Sequence, residues 1–187
     1  MAARKIIIIC EDILHHTFLR AFLYRRGFTR KEVPPPPTND GKGDAKSRAC
    51  ERFCKELIVL RRFARPGHAI IFALDADNLT IDERMRTMVE ACKSHGIEPP
   101  SRNDAVFGII PKWEIEYWLA YLRGEEVDEH GEKVPYDKYK GCESKIYPLV
   151  ERLADTCQQQ KELKGAPPSL IEACKVYDKF MQWKKNT

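Results

Sequence analysis

Three continuous apolar runs punctuate the chain, and amphipathic segments separate them. Lys5 to Cys10 (KIIIIC) is a β-branched run of the kind expected for a strand buried on both faces. Ala69 to Leu74 (AIIFAL) is the second strong strand, and AVFGII at 105–110 is the third. After the first run, Leu14, Phe18, Leu19, Phe22 and Leu23 mark one face of a helix that Gly27 stops. A helix over about 47–64 turns Ala49, Phe53, Leu57 and Leu60 inward. From Thr80 to Gly96, an inner stripe is expected at Met85, Met88, Val89 and Cys92, behind a T-x-x-E capping box of Thr80 and Glu83. Pro111 stands where a further helix can open, with Ile115, Trp118, Leu119 and Leu122 on its buried face. Strands alternating with such helices predict an α/β fold, a mostly parallel sheet flanked by helices.

The connecting segments are polar. FTRKEV, at 28–33, is readable as a short strand, whereas PPPPTNDGKGDAK, from Pro34, reads as an exposed loop. EEVDEHGEKVPYDKYKG, after Gly124, reads as a polar excursion. Two helices are expected beyond it, over about 142–164 and 169–185, the second with a capping box of Ser169 and Glu172. No internal repeat is visible. The organisation expected is one domain over 1–187, with a core to about 124 and a C-terminal helical extension from about 125.

Composition changes this picture little. The 187 residues are 43% hydrophobic and 32% charged, enough for a real core. The net charge of +4 permits a polyanionic partner without requiring one, and the basic cluster from Arg61 to Arg65 is equally readable as a solvated helix face. Seven scattered cysteines lack zinc-site spacing and read as the reduced thiols of a cytoplasmic protein. No run approaches the ~20 apolar residues of a membrane span. The N-terminal run is short and leads into Glu11 and Asp12, so it reads as a strand and not a secretion signal.

Acids recur after each strand. Glu11 and Asp12 follow the first, Asp75 and Asp77 the second, and Glu114 and Glu116 the third. Open α/β sheets bind ligands beyond the carboxyl ends of their strands, so parallel neighbours would bring these acids to one edge. In an extended chain Asp75 and Asp77 project together while Ala76 faces the other way. Adjacent carboxylates repel, and a divalent cation with hard oxygen ligands, Mg2+ or Mn2+, removes the conflict. The bland alternative is that the pair are loop acids or caps, but Thr80 already supplies a cap. His15 and His16 read as packing or solvent-facing, because adjacent helical positions cannot both face one ion.

A glutamate after a first strand and D-x-D after a later one resemble the Toprim fold. The stretches CEDILHHTFLRAFLYRRG, GKGDAKSR, ALDADNLTIDERMR, IPKWEIEYWLAYLRG and PPSLIEAC together look like a family of small stand-alone Toprim-like proteins, related to the Toprim domain of OLD-family nucleases. Such proteins are often encoded near ATPases in bacterial defence or mobile loci. The resemblance implies that Glu11 is a general acid–base or metal ligand, that Asp75 and Asp77 are metal ligands, and that Glu116 is a further acidic ligand. It also implies a departure, since Asp12 stands where the family usually has a glycine that allows close backbone approach to a phosphate. The function expected is a magnesium-dependent nuclease acting on DNA or RNA, as an effector of phage defence. Basic groups must help hold a polyanion; the candidates are Lys112 as a catalytic cation and Lys42 and Arg48 as substrate-binding residues. Trp113 is the aromatic best placed to be exposed for base stacking. Two alternatives stay open. One is a non-catalytic Toprim-like subunit that binds an ATPase or nucleic acid, and the other is a phosphatase with Asp75 as nucleophile.

Overall fold

The structure, a computed structural model, describes residues 4–36, 44–63 and 67–187. Three strands form one sheet in the order β1 (Lys5–Cys10), β2 (His68–Ala73) and β3 (Val106–Ile109), all parallel. The α/β class expected from the alternation is therefore the class observed. Ile7 pairs with Ile70 and Phe72 with Gly108, which leaves β2 central. The period of two then sorts side chains between two cores. Ile6, Ile8, Ile71, Ala73 and Ile109 face one layer, built from α1 (Ile13–Arg25), α4 (Ile115–Arg123), α5 (Tyr147–Gln158) and α6 (Pro168–Asn186). Ile9, Ile70, Phe72 and Leu74 face the other, built from α2 (Ala45–Phe63) and α3 (Ile81–Ser94).

Several local expectations need correction. FTRKEV is a turn, and Ile6 N–H of β1 donates to its Glu32 carbonyl. Pro111 does not open α4, which starts at Ile115 behind Glu114. The helix expected over 142–164 is a 3₁₀ turn (Glu143–Ile146) followed by α5, which stops at Gln158. Ser169 is not a cap, because α6 starts one residue earlier at Pro168 and Ser169 is 2% exposed. Its N–H and hydroxyl both donate to the buried Glu129, and Glu172 pairs with Lys175 instead. Met85 is 38% exposed, so the inner stripe of α3 is carried by Met88 and Cys92. The capping box of Thr80 and Glu83 forms as expected.

The polar stretch after Gly124 lacks regular structure, yet it is a strap laid back onto α4. Gly124 ends α4 at φ 94°, the left-handed geometry glycine accepts without penalty. Beyond it, Val134 N–H donates to the Tyr117 hydroxyl (2.6 Å), and Tyr136 packs edge-on against Tyr117. Ser169, held by Glu129 of the strap, accepts from the Trp118 indole (2.7 Å). The strap is thus fastened to α4 and α6 through their buried faces. Among the described residues no helix is long and apolar enough to cross a membrane.

Two outcomes follow for stability. A Cβ at Gly108 would collide with the Phe72 ring and crowd the Met85 sulfur, where β3 meets α3. Gly108→Ala is expected to cost about 1–3 kcal/mol, read as a lower urea midpoint with unchanged slope. Arg61 of α2 grips Asp104 with two bonds (3.0 and 2.7 Å) and holds its carboxyl down to about 2. A depressed folded pKa gives stability above the unfolded value of about 3.9 that is lost as pH falls toward 2. Asp104→Asn should flatten the acid limb of thermal stability in that window.

Candidate metal centre

The carboxyl end of β1 delivers Glu11, and the next residue starts α1. Asp12 is the N-cap of that helix, its side chain accepting from His15 N–H at 2.9 Å. This fixes the first turn and places His15 four residues beyond Glu11, on the same helical side. Asp75 follows β2, the neighbouring strand, so it lies beside Glu11. Its backbone N–H donates to Glu11 Oε1 at 2.7 Å.

His15 joins these groups. Its side chain is fully buried, with Nδ1 bonded to Asp12 Oδ1 (2.8 Å) and Nε2 to Asp75 Oδ1 (2.9 Å) and 3.8 Å from Glu11 Oε1. Burial would lower the His15 pKa, but the Asp75 and Asp12 carboxylates outweigh it and hold it well above its ordinary value. Burial likewise pulls Asp12 upward, and the bonds to His15 prevail, holding it down to about 2. Glu11 is raised, first by burial and then by the charge of Asp75. His16, the neighbour, faces away; burial and then the cations Arg20 and Arg52 push it down to about 4.

The remaining acids lie further out and are paired. Ala76 N–H reaches the Pro111 carbonyl (2.9 Å) and Asp77 N–H that of Trp113 (3.2 Å), so the segments after β2 and β3 stay side by side. Asp77 has φ 53°, so the extended alternation expected through Asp75-Ala76-Asp77 breaks there. Its carboxylate meets Lys46 of α2 and Arg84 of α3. Lys46 also lies 3.5 Å from Glu11 Oε2, so one ammonium bridges the outer D-x-D acid to the inner glutamate. Glu114 and Glu116, expected to flank the apolar stripe, are both buried. Lysines of the strap reach them: Lys133 to Glu114 (2.8 Å) and Lys138 to Glu114 (2.6 Å) and Glu116 (3.0 Å). For Glu114, burial raises the pKa but the two lysines win and lower it, whereas for Glu116 burial wins over Lys138 and the pKa is raised.

Among the described residues, the group able to hold a metal is Glu11, His15 and Asp75, whose ligand atoms lie within 4.8 Å of one another. Of the residues expected from sequence, Glu11 and Asp75 meet as anticipated. Asp77 and Glu116 are not in that group and face ammonium groups instead. Lys112 donates to the carbonyls of Leu79 (2.9 Å) and Asp77 (3.3 Å) and lies over the Trp113 ring, so it braces the D-x-D loop. Trp113 is only half-exposed and its indole nitrogen is buried. Arg48 lines a pocket beside Glu11, and Lys42 lies outside the described residues.

Sequence reasoning missed His15, Lys46, Lys133 and Lys138. The i,i+4 spacing of Glu11 and His15 was the available signal for the first. Lys46 sits between the two cations chosen from GKGDAKSR, and which of these faces the sheet edge depends on where α2 starts. Nothing local marks the strap lysines, because only the fold-back onto α4 brings them in.

The donor set fits a divalent ion. Two carboxylates raise each other's cost of ionisation, and a cation resolves it. With Asp12 holding Nδ1–H, His15 would give up its Nε2 proton to a bound cation and present that lone pair to the centre, the carboxylate–histidine–metal arrangement common in metal sites. An imidazole among the ligands favours Mn2+ over Mg2+, which prefers oxygen alone. Protein-family models, curated proteins and solved structures contain no match to this chain.

Calorimetric titration with Mn2+ should show one tight site. Asp12→Asn should weaken it by about 10–100-fold by loosening the imidazole, and His15→Gln should abolish it. Asp77→Asn should change it by less than Asp12→Asn, an order that reverses if the D-x-D pair is the true ligand set.

Proposed function

We propose that this chain is a divalent-metal-dependent nuclease of Toprim type, hydrolysing phosphodiester bonds in DNA or RNA. The observation that carries it is the meeting of Glu11, His15 and Asp75 within 4.8 Å at the carboxyl edge of a parallel sheet. A metal bound there would polarise a phosphoryl oxygen and lower the pKa of a coordinated water. The chain's own groups do the rest. Asp12 fixes the orientation of the imidazole through Nδ1, and the Asp75 N–H fixes the rotamer of Glu11. Lys46 is the cation nearest both Glu11 and Asp77. An incoming phosphate would offer its ammonium another anion, while Arg84 keeps the Asp77 carboxylate paired. Lys112 keeps the D-x-D loop in place while this happens.

One observation favours a second reading. Asp77, Glu114 and Glu116 are all paired with lysine or arginine, which lowers their need for metal. A protein retaining those pairs would act as a non-catalytic subunit that binds a partner ATPase or nucleic acid.

The purified protein, incubated with Mn2+ or Mg2+, should cleave at least one of single-stranded DNA, duplex DNA and tRNA. Activity should be higher with Mn2+, and Asp75→Asn and Glu11→Gln should fall to background. A wild type that binds Mn2+ yet cuts none of these substrates would overturn the nuclease reading and leave the subunit reading standing.

A further inference from the structure

The pocket that Arg48 lines opens on the α2 side of Glu11, with a volume of about 150 Å³. Its wall includes Cys10, Glu11, Asp12 and His16 from the end of β1 and the start of α1, and Arg48 and Arg52 from α2. We infer that it receives a phosphate group of the nucleic-acid strand, next to the one presented to the metal centre. The inference rests on the nuclease reading and adds to it a place for the non-scissile backbone.

Charge points this way. The two acids on the wall each have a partner elsewhere, and the Asp12 side chain stays half-exposed. Glu11 turns one oxygen to the Asp75 N–H and the other toward Lys46, and Asp12 turns its Oδ1 to His15. Cys10 keeps its proton, since burial pushes the thiol up to about 12. The cations Arg48 and Arg52 remain, one helical turn apart on α2. Arg48 is already held in an interaction, so Arg52, half-buried at the wall, supplies the charge on which the inference depends.

A buried polar group points the same way. His16 is 3% exposed, and its Nδ1 has no hydrogen-bond partner among the described residues. Buried side-chain nitrogens are nearly always paired, so an orphan on a residue of this wall, beside Arg52, leaves a place for a ligand to pair with it. The volume is below the roughly 300–1,000 Å³ of sites for whole small molecules and suits a single oxyanion. Glu11 borders both this pocket and the metal centre. An anion here and a phosphate at the metal would therefore be close neighbours, as successive phosphates of one strand are.

The test uses the full chain without metal and inorganic phosphate as probe. Phosphate is titrated while the ring nitrogens of the histidines are followed by NMR. The His16 resonances should shift saturably. Arg52→Gln should weaken phosphate about tenfold or more, the loss expected for a charged hydrogen bond, and Arg52→Lys should keep most of the affinity. A single-stranded oligonucleotide of about eight nucleotides, without terminal phosphates, should displace the phosphate. The inference is overturned if Arg52→Gln, shown folded by circular dichroism, binds phosphate as the wild type does, or if the His16 signals stay still. It is equally overturned if the oligonucleotide leaves phosphate in place, since the pocket would then serve a free anion. These measurements need neither metal nor cleavage, so they can fail while the nuclease reading survives, and the reverse holds too.

Discussion

Two carboxylates at the ends of neighbouring parallel strands cannot both stay ionised beside an apolar core unless positive charge meets them. That constraint organises this molecule. β1 and β2 run in register, so the residues after Cys10 and Ala73 emerge together, and Glu11 and Asp75 come within bonding distance of one another's segments. Everything nearby answers the resulting charge. The helix that follows β1 begins with an acid whose role is to aim an imidazole at Asp75. The helices on the opposite layer contribute Lys46 and Arg84, and the strap contributes Lys133 and Lys138.

The compensation is graded. At the centre it is buried, short-range and geometrically fixed: His15 is closed off from solvent and held at both nitrogens. Further out it comes from long side chains with partly exposed heads, 38% for Lys133 and 56% for Lys138. Water screens the lysine ends of these pairs, whereas their carboxylate partners are buried. The compensation is therefore closed off from solvent at the centre and open to it at the rim.

The fold was largely legible in the chain because its signals are local. Four isoleucines in a row, a T-x-x-E box and a glycine after each early helix need no distant partner to act. The inner pair of acids was legible for a similar reason, as strand ends in a parallel sheet share an edge. What escaped depended on long-range geometry. Ser169 looked like a cap, but the fold buries it under Glu129, forty residues away in sequence. Asp77 looked like the twin of Asp75, but a left-handed residue turns it toward α2 and α3. Met85 looked like core, but its end of α3 borders an open groove along β3. The strap read as a polar excursion because its buried anchors, Glu129 and Tyr139, are sparse among exposed charges.

Lys46 also bears on any ion arriving from solution. Its ammonium is tethered to the scaffold, so it competes at a high effective concentration for the space between Glu11 and Asp77. A monovalent ion such as sodium or potassium brings the same single charge and no tether, and has nothing with which to evict it. Only an ion of twice the charge gains from the exchange. Were a cation to bind beside these acids, this one side chain would bias the choice against monovalent salts.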